Sequence, residues 1–329
     1  MNIKNILKHI LFRFPESWIH KFYMLYNYLT FPNDREKLIK YGMLNPDTTF
    51  YVIRPRPGKI EGLMALFMDV IKQIDYAEKK GYVPIVDFKN YDTQYKDSNQ
   101  KCKNVWEYYF KQISPYSLEE VYQSQKVYIS GLNAIENCAS ELKQKFDDTS
   151  LKRVRNIVQK YIQYSNEVQE FVNIQLRNID VENTIGLYLR GTDYLKLKPA
   201  GHPVQPSTEQ AIKIVDKLMK QEKKQNVFLV TEDKEIYEQV KKHYGKYLKI
   251  VSYDKFISNY NGRNFLSTDT ESISQLADAP YERGLNYLCK LIILSKCSSL
   301  VSGKTCGSWA TCAFSDGFKE QYIFDLGIY

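Results

Sequence analysis

Arg190, Asp193, Glu232 and Asp233 are the residues whose types and spacing point most directly to chemistry. Arg190 lies in Ile185-Gly-Leu-Tyr-Leu-Arg-Gly-Thr-Asp-Tyr194, where an apolar run gives way to a polar turn. The pattern predicts a buried strand that delivers one arginine to the rim of a sheet. A guanidinium is always charged, and its planar fork matches the oxygens of carboxylates and phosphates. In an open α/β sheet, ligands sit beyond the carboxyl ends of the strands. Arg190 is therefore placed to grip a phosphate; the alternative is an ion pair with Asp193. Asp193 itself either orients Arg190 or closes the turn. Glu232 and Asp233 end a second strand-like run, Val227-Phe-Leu-Val-Thr-Glu-Asp233, and so face the same rim. Asp233 is equally suited to cap the helix that follows. His202-Pro203 belongs to a stiff polar segment, as a ligand contact or as a plain loop histidine.

Ser302-Gly-Lys-Thr305 looks like the end of a P-loop, but the glycine that pattern needs five residues earlier is Ser298. ATP or GTP hydrolysis of that type is not expected. The segment holding Gly303, Thr305, Cys306, Gly307 and Ser308 still matters, because it joins a strand to a helix. A helix N-terminus presents free N–H groups and positive potential to an anion. It could hold the far side of a phosphate gripped by Arg190, or be an ordinary helix start capped by Thr305 or Ser308.

These residues need elements to position them. Thr49–Ile53 reads as a strand, and Leu63, Leu66, Phe67, Val70, Ile71, Ile74 and Ala77 follow at helical spacing up to Gly81. Tyr82–Asp87 is the next strand, which makes a βαβ unit and hence a parallel sheet. Asn104–Phe110 reads as a helical turn and Lys126–Ser130 as a strand. Ser150–Arg177 reads as one long helix. The second half predicts strands at Ile185–Leu189, Val227–Val230, Leu248–Ser252, Leu300–Ser302 and Tyr322–Asp325. Helices alternate with them at Thr208–Glu222, Lys234–His243, Glu282–Ser295 and Cys306–Ala313. Asn259–Asp278 is polar and reads as a mobile loop. The expected fold class is α/β, with two Rossmann-like domains facing a cleft, residues 1–178 and 179–329.

A chain of 329 residues is long enough for two cored domains. The net charge of +8 suits a phosphate-bearing substrate or an anionic membrane surface. No long Lys/Arg tract and no zinc-finger, RNP or basic-zipper pattern is present, which argues against nucleic acid as a partner. The 27 tyrosines reflect either an AT-rich genome or a sugar-binding groove. Trp106 and Tyr108 are the candidate acceptor platforms. Cys102, Cys138, Cys289, Cys297, Cys306 and Cys312 form no CxxC pair and read as reduced thiols of a cytoplasmic protein. No apolar run reaches the length of a membrane span. Residues 1–29 carry Ile3, Ile6, Leu7, Ile10, Leu11 and Phe14 at near-helical spacing, opposite Lys4, Lys8, His9 and Arg13. Such a basic amphipathic helix packs on the first domain or lies peripherally on the inner face of the membrane. No small-residue cleavage site of a signal peptide follows it.

In order, Leu187–Asp193, His202-Pro203, Val227–Asp233, Arg283-Gly284 and Leu300–Ser308 resemble the motifs of GDP-fucose-dependent fucosyltransferases. The resemblance is strongest to α1,6-fucosyltransferases of the rhizobial nodulation type. Gly62 with its following helix, Tyr82–Asp87 and Asn104-Val-Trp-Glu-Tyr-Tyr-Phe110 extend it into the first half, so that it covers residues 50–329. It implies a GT-B fold and inverting transfer of L-fucose from GDP-fucose to a hydroxyl of an oligosaccharide or glycolipid acceptor in bacterial surface polysaccharide synthesis. It also implies that Arg190 binds the β-phosphate. The donor side then comprises Arg190, Tyr188, His202, Gly303, Thr305, Cys306, Gly307 and Ser308, and Glu232-Asp233 falls in an acidic motif tied to activity. The chain departs from the α1,6 pattern at three positions. Lys198 stands where those enzymes carry a glutamate base, Gly191 replaces the second arginine of their pair, and Tyr188 replaces a histidine. Asp193, Glu232 and Asp233 become the candidate bases, unless a looser transition state needs little base help. No Asp-x-Asp follows a strand, and metal independence with no cofactor is the expectation. A different nucleotide sugar, or a non-catalytic carbohydrate-binding homologue, are the alternatives.

Overall fold

The computed structural model describes residues 35–56, 61–100, 103–131, 135 and 140–329. The expected amphipathic helix of residues 1–29 lies outside the described residues, as do Cys102 and Cys138.

The first half builds a four-stranded sheet. Its elements are β1 (Lys37–Ile39), β2 (Leu44–Ile53), α1 (Leu63–Lys80), β3 (Val83–Val86), α2 (Leu118–Val121) and β4 (Ser124–Ile129). The strand order is β1-β4-β2-β3, with β1 antiparallel to β4 and the other pairs parallel. Helix α1 stops at Gly81, whose φ of 70° lets its N–H reach the carbonyls of Ala77 and Glu78. A side chain would disfavour that left-handed backbone.

Two helices link the halves, α3 (Asp148–Tyr161) and α4 (Asn166–Leu176), not the single helix expected over Ser150–Arg177. The break has a tertiary cause. Lys111 N donates to Gln163 O, Ser165 N donates to Tyr109 O, and Tyr164 bridges Phe110. These bonds hold residues 163–165 extended, and the Ser165 side chain then caps α4 by accepting from Val168 N.

The second half comprises β5 (Thr184–Tyr188), α5 (Thr192–Leu197), α6 (Thr208–Glu222), β6 (Asn226–Val230), α7 (Lys234–Tyr244), β7 (Leu248–Lys249), α8 (Thr270–Ser274), α9 (Pro280–Ser295), β8 (Ser299–Gly303), α10 (Cys306–Phe314) and β9 (Gln321–Phe324). All five strands are parallel in the order β7-β6-β5-β8-β9. Strand β5 is buried throughout, as a central parallel strand covered on both faces must be. The chain starts at β5, adds β6 and β7 on one side, then returns to add β8 and β9 on the other. The strand order therefore reverses between β5 and β8. Strand β7 is shorter than the expected Leu248–Ser252. The Asn259–Asp278 segment is not a bare loop either: Tyr260, Leu266, Asp269 and Ser272 are buried, and Asp269 caps α8.

Both sheets contribute to one apolar cluster that includes Phe67 and Ile71 of α1, Val154 of α3, Leu288 of α9, and Trp309 and Cys312 of α10. The Phe67 and Phe314 rings lie 5.0 Å apart, and Arg155 Nε donates to Cys312 O at 2.9 Å. Gly284 completes the seam. A Cβ there would sit 2.1 Å from Tyr109 Oη, so only hydrogen fits. Gly284→Ala is expected to destabilise the chain by about 1–3 kcal/mol through overpacking. Thermal unfolding checks this. Adding Tyr109→Phe, which deletes the clashing oxygen, should restore part of the loss.

Candidate functional site

Strand β5 hands over to the Arg190 turn while its ladder still holds, since Leu189 N donates to Val230 O at 3.0 Å. Arg190 Nη2 donates to Asp193 Oδ1 at 2.8 Å, and Nη1 lies 3.1 Å from Glu232 Oε1. The ion pair with Asp193 is thus present, joined by a second carboxylate from the end of β6. The guanidinium also lies 5.6 Å from the centre of the Tyr194 ring. Burial opposes its charge, but Glu232 and Asp193 outweigh that and raise its pKa well above the ordinary arginine value. One fifth of the side chain remains exposed, and a guanidinium carries five N–H groups, so donors are left for a ligand.

The three acidic candidates divide by what their oxygens do. Asp193 Oδ1 accepts from Arg190 and from Tyr194 N, and Oδ2 accepts from Leu266 N at 3.0 Å. Asp233 Oδ1 accepts from Glu235 N and Ile236 N, capping α7, and Oδ2 accepts from Thr192 N. Both oxygens of each are engaged by the backbone or by Arg190, so both carboxylates hold the turn together. Among the described residues Glu232 is engaged through Oε1 alone, which accepts from Gly191 N and Thr192 Oγ1 and faces Arg190 Nη1. Lys198, the departure from the α1,6 pattern, is an exposed left-handed C-cap of α5.

The turn itself is strained. Thr192 is fully buried with φ of 44°, a region a β-branched residue rarely occupies. Such strain costs about 1–3 kcal/mol and persists only where surroundings over-determine it. Here three carboxylates surround Thr192 and receive its N–H and hydroxyl. Gly191 has no room for a side chain, because a Cβ would lie 2.4 Å from Asp233 Cβ.

Across the β5/β8 junction stands α10. Thr305 and Ser308 form a reciprocal cap: Ser308 N donates to Thr305 Oγ1 at 3.0 Å, and Thr305 N donates to Ser308 Oγ at 2.8 Å. Their side chains are buried and bond to one another and to the helix start, the cap arrangement that the sequence offered as the alternative. The N–H groups of Cys306 and Gly307, in the first turn, have no intrahelical acceptor. Burial, together with Asp69, pushes the Cys306 thiol up to about 11 while Lys72 and Arg190 work against it, so α1 and Arg190 both bear on this helix start. At Gly307 a Cβ would lie 2.3 Å from Tyr287 Oη and 2.7 Å from Tyr188 Oη; at Gly303 it would lie 2.2 Å from Gln205 Oε1. Tyr188 is buried with its hydroxyl 3.0 Å from that of Tyr287. His202 Nδ1 lies 3.3 Å from Tyr194 Oη, and its ring packs against Phe265.

Arg190, Tyr188, Glu232 and Gly303–Ser308 thus converge, and His202 joins them through Tyr194. Trp106 and Tyr108 do not. Both are buried; Trp106 stacks on Phe110 at 4.4 Å and donates Nε1–H to Lys111 O. They are core aromatics and present no open ring face, which corrects their acceptor-platform role. Sequence reading gave no role to Tyr194, Tyr287 or Phe265, and Arg283 entered it only within the Arg283-Gly284 motif. For Tyr287 the available signal was its helical spacing from Arg283, which puts both on one face. Among the described residues no group of three or more His, Cys, Asp or Glu is arranged to hold a metal, and no helix is long and apolar enough to cross a membrane.

Neither a family model nor a curated relative matches the chain. Among solved structures, the chain is similar to the fucosyltransferase NodZ from Bradyrhizobium, at 13% identity over 80% of this chain and 93% of that one, with a TM-score of 0.44. A NodZ α-1,6-fucosyltransferase soaked with GDP-fucose is 13% identical over 82% and 93% of the two chains, with a TM-score of 0.46. POFUT1 in complex with GDP-fucose is 9% identical over 88% and 100%, again with a TM-score of 0.46.

Proposed function

We propose that this chain is a fucosyltransferase that moves L-fucose, with inversion, from GDP-fucose to a hydroxyl of an oligosaccharide or glycolipid acceptor of bacterial surface polysaccharide. The observation that supports the reading most is the meeting of Arg190 and the start of α10 across the point where strand order reverses. Open parallel sheets bind ligands there. The donor's identity comes from the motif resemblance, and residues 179–329 form its half of the molecule, with the acceptor on residues 1–178.

Fucosyl transfer breaks the bond between sugar C1 and a β-phosphate oxygen. Negative charge grows on GDP as the bond opens. Arg190 strengthens its hold as that happens, because a charge-assisted, forked contact gains most where charge develops. The N–H groups of Cys306 and Gly307 meet the diphosphate from the other side. Asp193 and Glu232 fix the guanidinium in place beforehand, so little rearrangement accompanies the reaction. The acceptor hydroxyl attacks C1 from the face opposite GDP. Glu232 is the base in this reading, because its Oε2 lies outside the network that engages the other acidic oxygens. The chain acts in the cytoplasm or at the inner membrane face. The exposed Lys198 favours one rival, a binding protein that has lost catalysis. Sustained GDP release from GDP-fucose excludes that rival.

Arg190→Lys keeps the charge beside Asp193 and Glu232 but removes the fork. GDP release should fall by about 100- to 1,000-fold with the circular dichroism spectrum unchanged; undiminished release would overturn the assignment. Glu232→Gln retains an acceptor oxygen for Gly191 and Thr192 while removing the base, and kcat should drop by about 100- to 10,000-fold with KM for the donor little changed. Since the leaving diphosphate is neutralised by Arg190 and α10, activity should persist in excess EDTA.

A further inference from the structure

Among the described residues near the Arg190 turn and the start of α9, Arg283 stands out by its charge environment. Arg190 faces both Asp193 and Glu232, so that group as a whole is negative. Arg56 and Lys72 share Asp69, at 2.8 and 3.3 Å. Arg283 differs, because among the described residues it has no carboxylate partner. Its Nη2 donates to Gln94 O and Gln94 Oε1, both at 3.1 Å, and its guanidinium lies 5.1 Å from the centre of the Tyr95 ring. It also stands in the first turn of α9, the end where the helix dipole is already positive. The dipole opposes a cation there; the adjacent Glu282 offsets this in part, and a bound anion would offset it further.

Position connects Arg283 to Arg190. Tyr287 follows Arg283 by one helical turn and shares its face. The Tyr287 hydroxyl touches that of Tyr188, two residues before Arg190 on the extended chain, where alternate residues point the same way. Tyr95, whose ring faces the Arg283 guanidinium, also feels Arg190. Burial raises its phenol above the usual value, while Arg283 and Arg190 both pull it back, so both charges reach the same hydroxyl. No second arginine can come from the Arg190 turn itself, since Gly191 has no room for a side chain.

We propose that Arg283 is a second phosphate-binding residue, acting with Arg190 on the diphosphate of a nucleoside diphosphate sugar. The assignment rests on the donor reading above. Without Arg283, a diphosphate approaching Arg190 would meet two carboxylates and one cation. With it, the site offers two guanidinium groups from two elements, one at the end of β5 and one at the start of α9.

Isothermal titration of the full chain with GDP and with GMP tests this. Arg283→Gln should weaken GDP by about 10- to 100-fold, the range for losing a charged hydrogen bond, with GMP affinity nearly unchanged. Arg283→Lys should give a smaller loss, again confined to GDP. If both variants bind GDP as wild type does, or lose GDP and GMP to the same degree, the assignment is overturned. A wild-type chain that binds neither nucleotide overturns the donor reading itself, and Arg283 falls with it.

Discussion

A guanidinium held between two carboxylates organises the end of β5. Arg190 enters a region where burial penalises its charge, and Asp193 and Glu232 compensate. The same carboxylates receive backbone N–H groups, so one arrangement fixes the charge, the turn and the neighbouring segment. Asp193 ties the turn to Leu266, Asp233 ties it to the start of α7, and Glu232 ties it to the end of β6. The left-handed Thr192 is tolerable because these acceptors converge on it. A transferase of the proposed kind benefits from such rigidity, because donors fixed in advance need not reorganise when charge appears on the leaving group.

Much of this was legible in the sequence, for specific reasons. Buried parallel strands read as short apolar runs, so β5, β6 and β8 were visible from Leu187, Val227–Val230 and Leu300–Val301. Amphipathic helices were visible too; α6 lies at Thr208–Glu222, where the sequence put it. The Arg190 turn and the α10 start were recognisable as a polar rim because each follows such a strand. What escaped was whatever depends on contacts between distant residues. The sequence put Glu232 on the same rim as Arg190, but nothing near it says that it will pair with that guanidinium while Asp233 caps a helix. Nothing in residues 150–177 announces that Tyr109 and Lys111 will interrupt a helical pattern. Trp106 and Tyr108 show the limit of composition, since an aromatic cluster looks the same in sequence whether it faces a sugar or a core.

The carboxylates illustrate a related limit. Asp193, Glu232 and Asp233 are equivalent as sequence symbols near strand ends. The structure separates them by counting acceptor oxygens already engaged, which leaves Glu232 Oε2 apart from the rest. The Thr305–Ser308 cap works the same way: small polar residues at a helix start look like ligand contacts until the reciprocal bonds show where they point. At α10 it is the backbone of Cys306 and Gly307, rather than the neighbouring hydroxyls, that retains capacity for an anion.

The apolar cluster running from Phe67 through Val154 to Trp309 has a consequence for how the molecule comes apart. Each sheet keeps an apolar cluster of its own on one face, and with those alone the two would melt as separate units. Here α10 packs into a space built largely by α1 and α3, so removing either half strips the other of its filling. Heat or denaturant should abolish both sheets in a single cooperative step, and a fragment carrying only the second sheet would expose the indole of Trp309 to water.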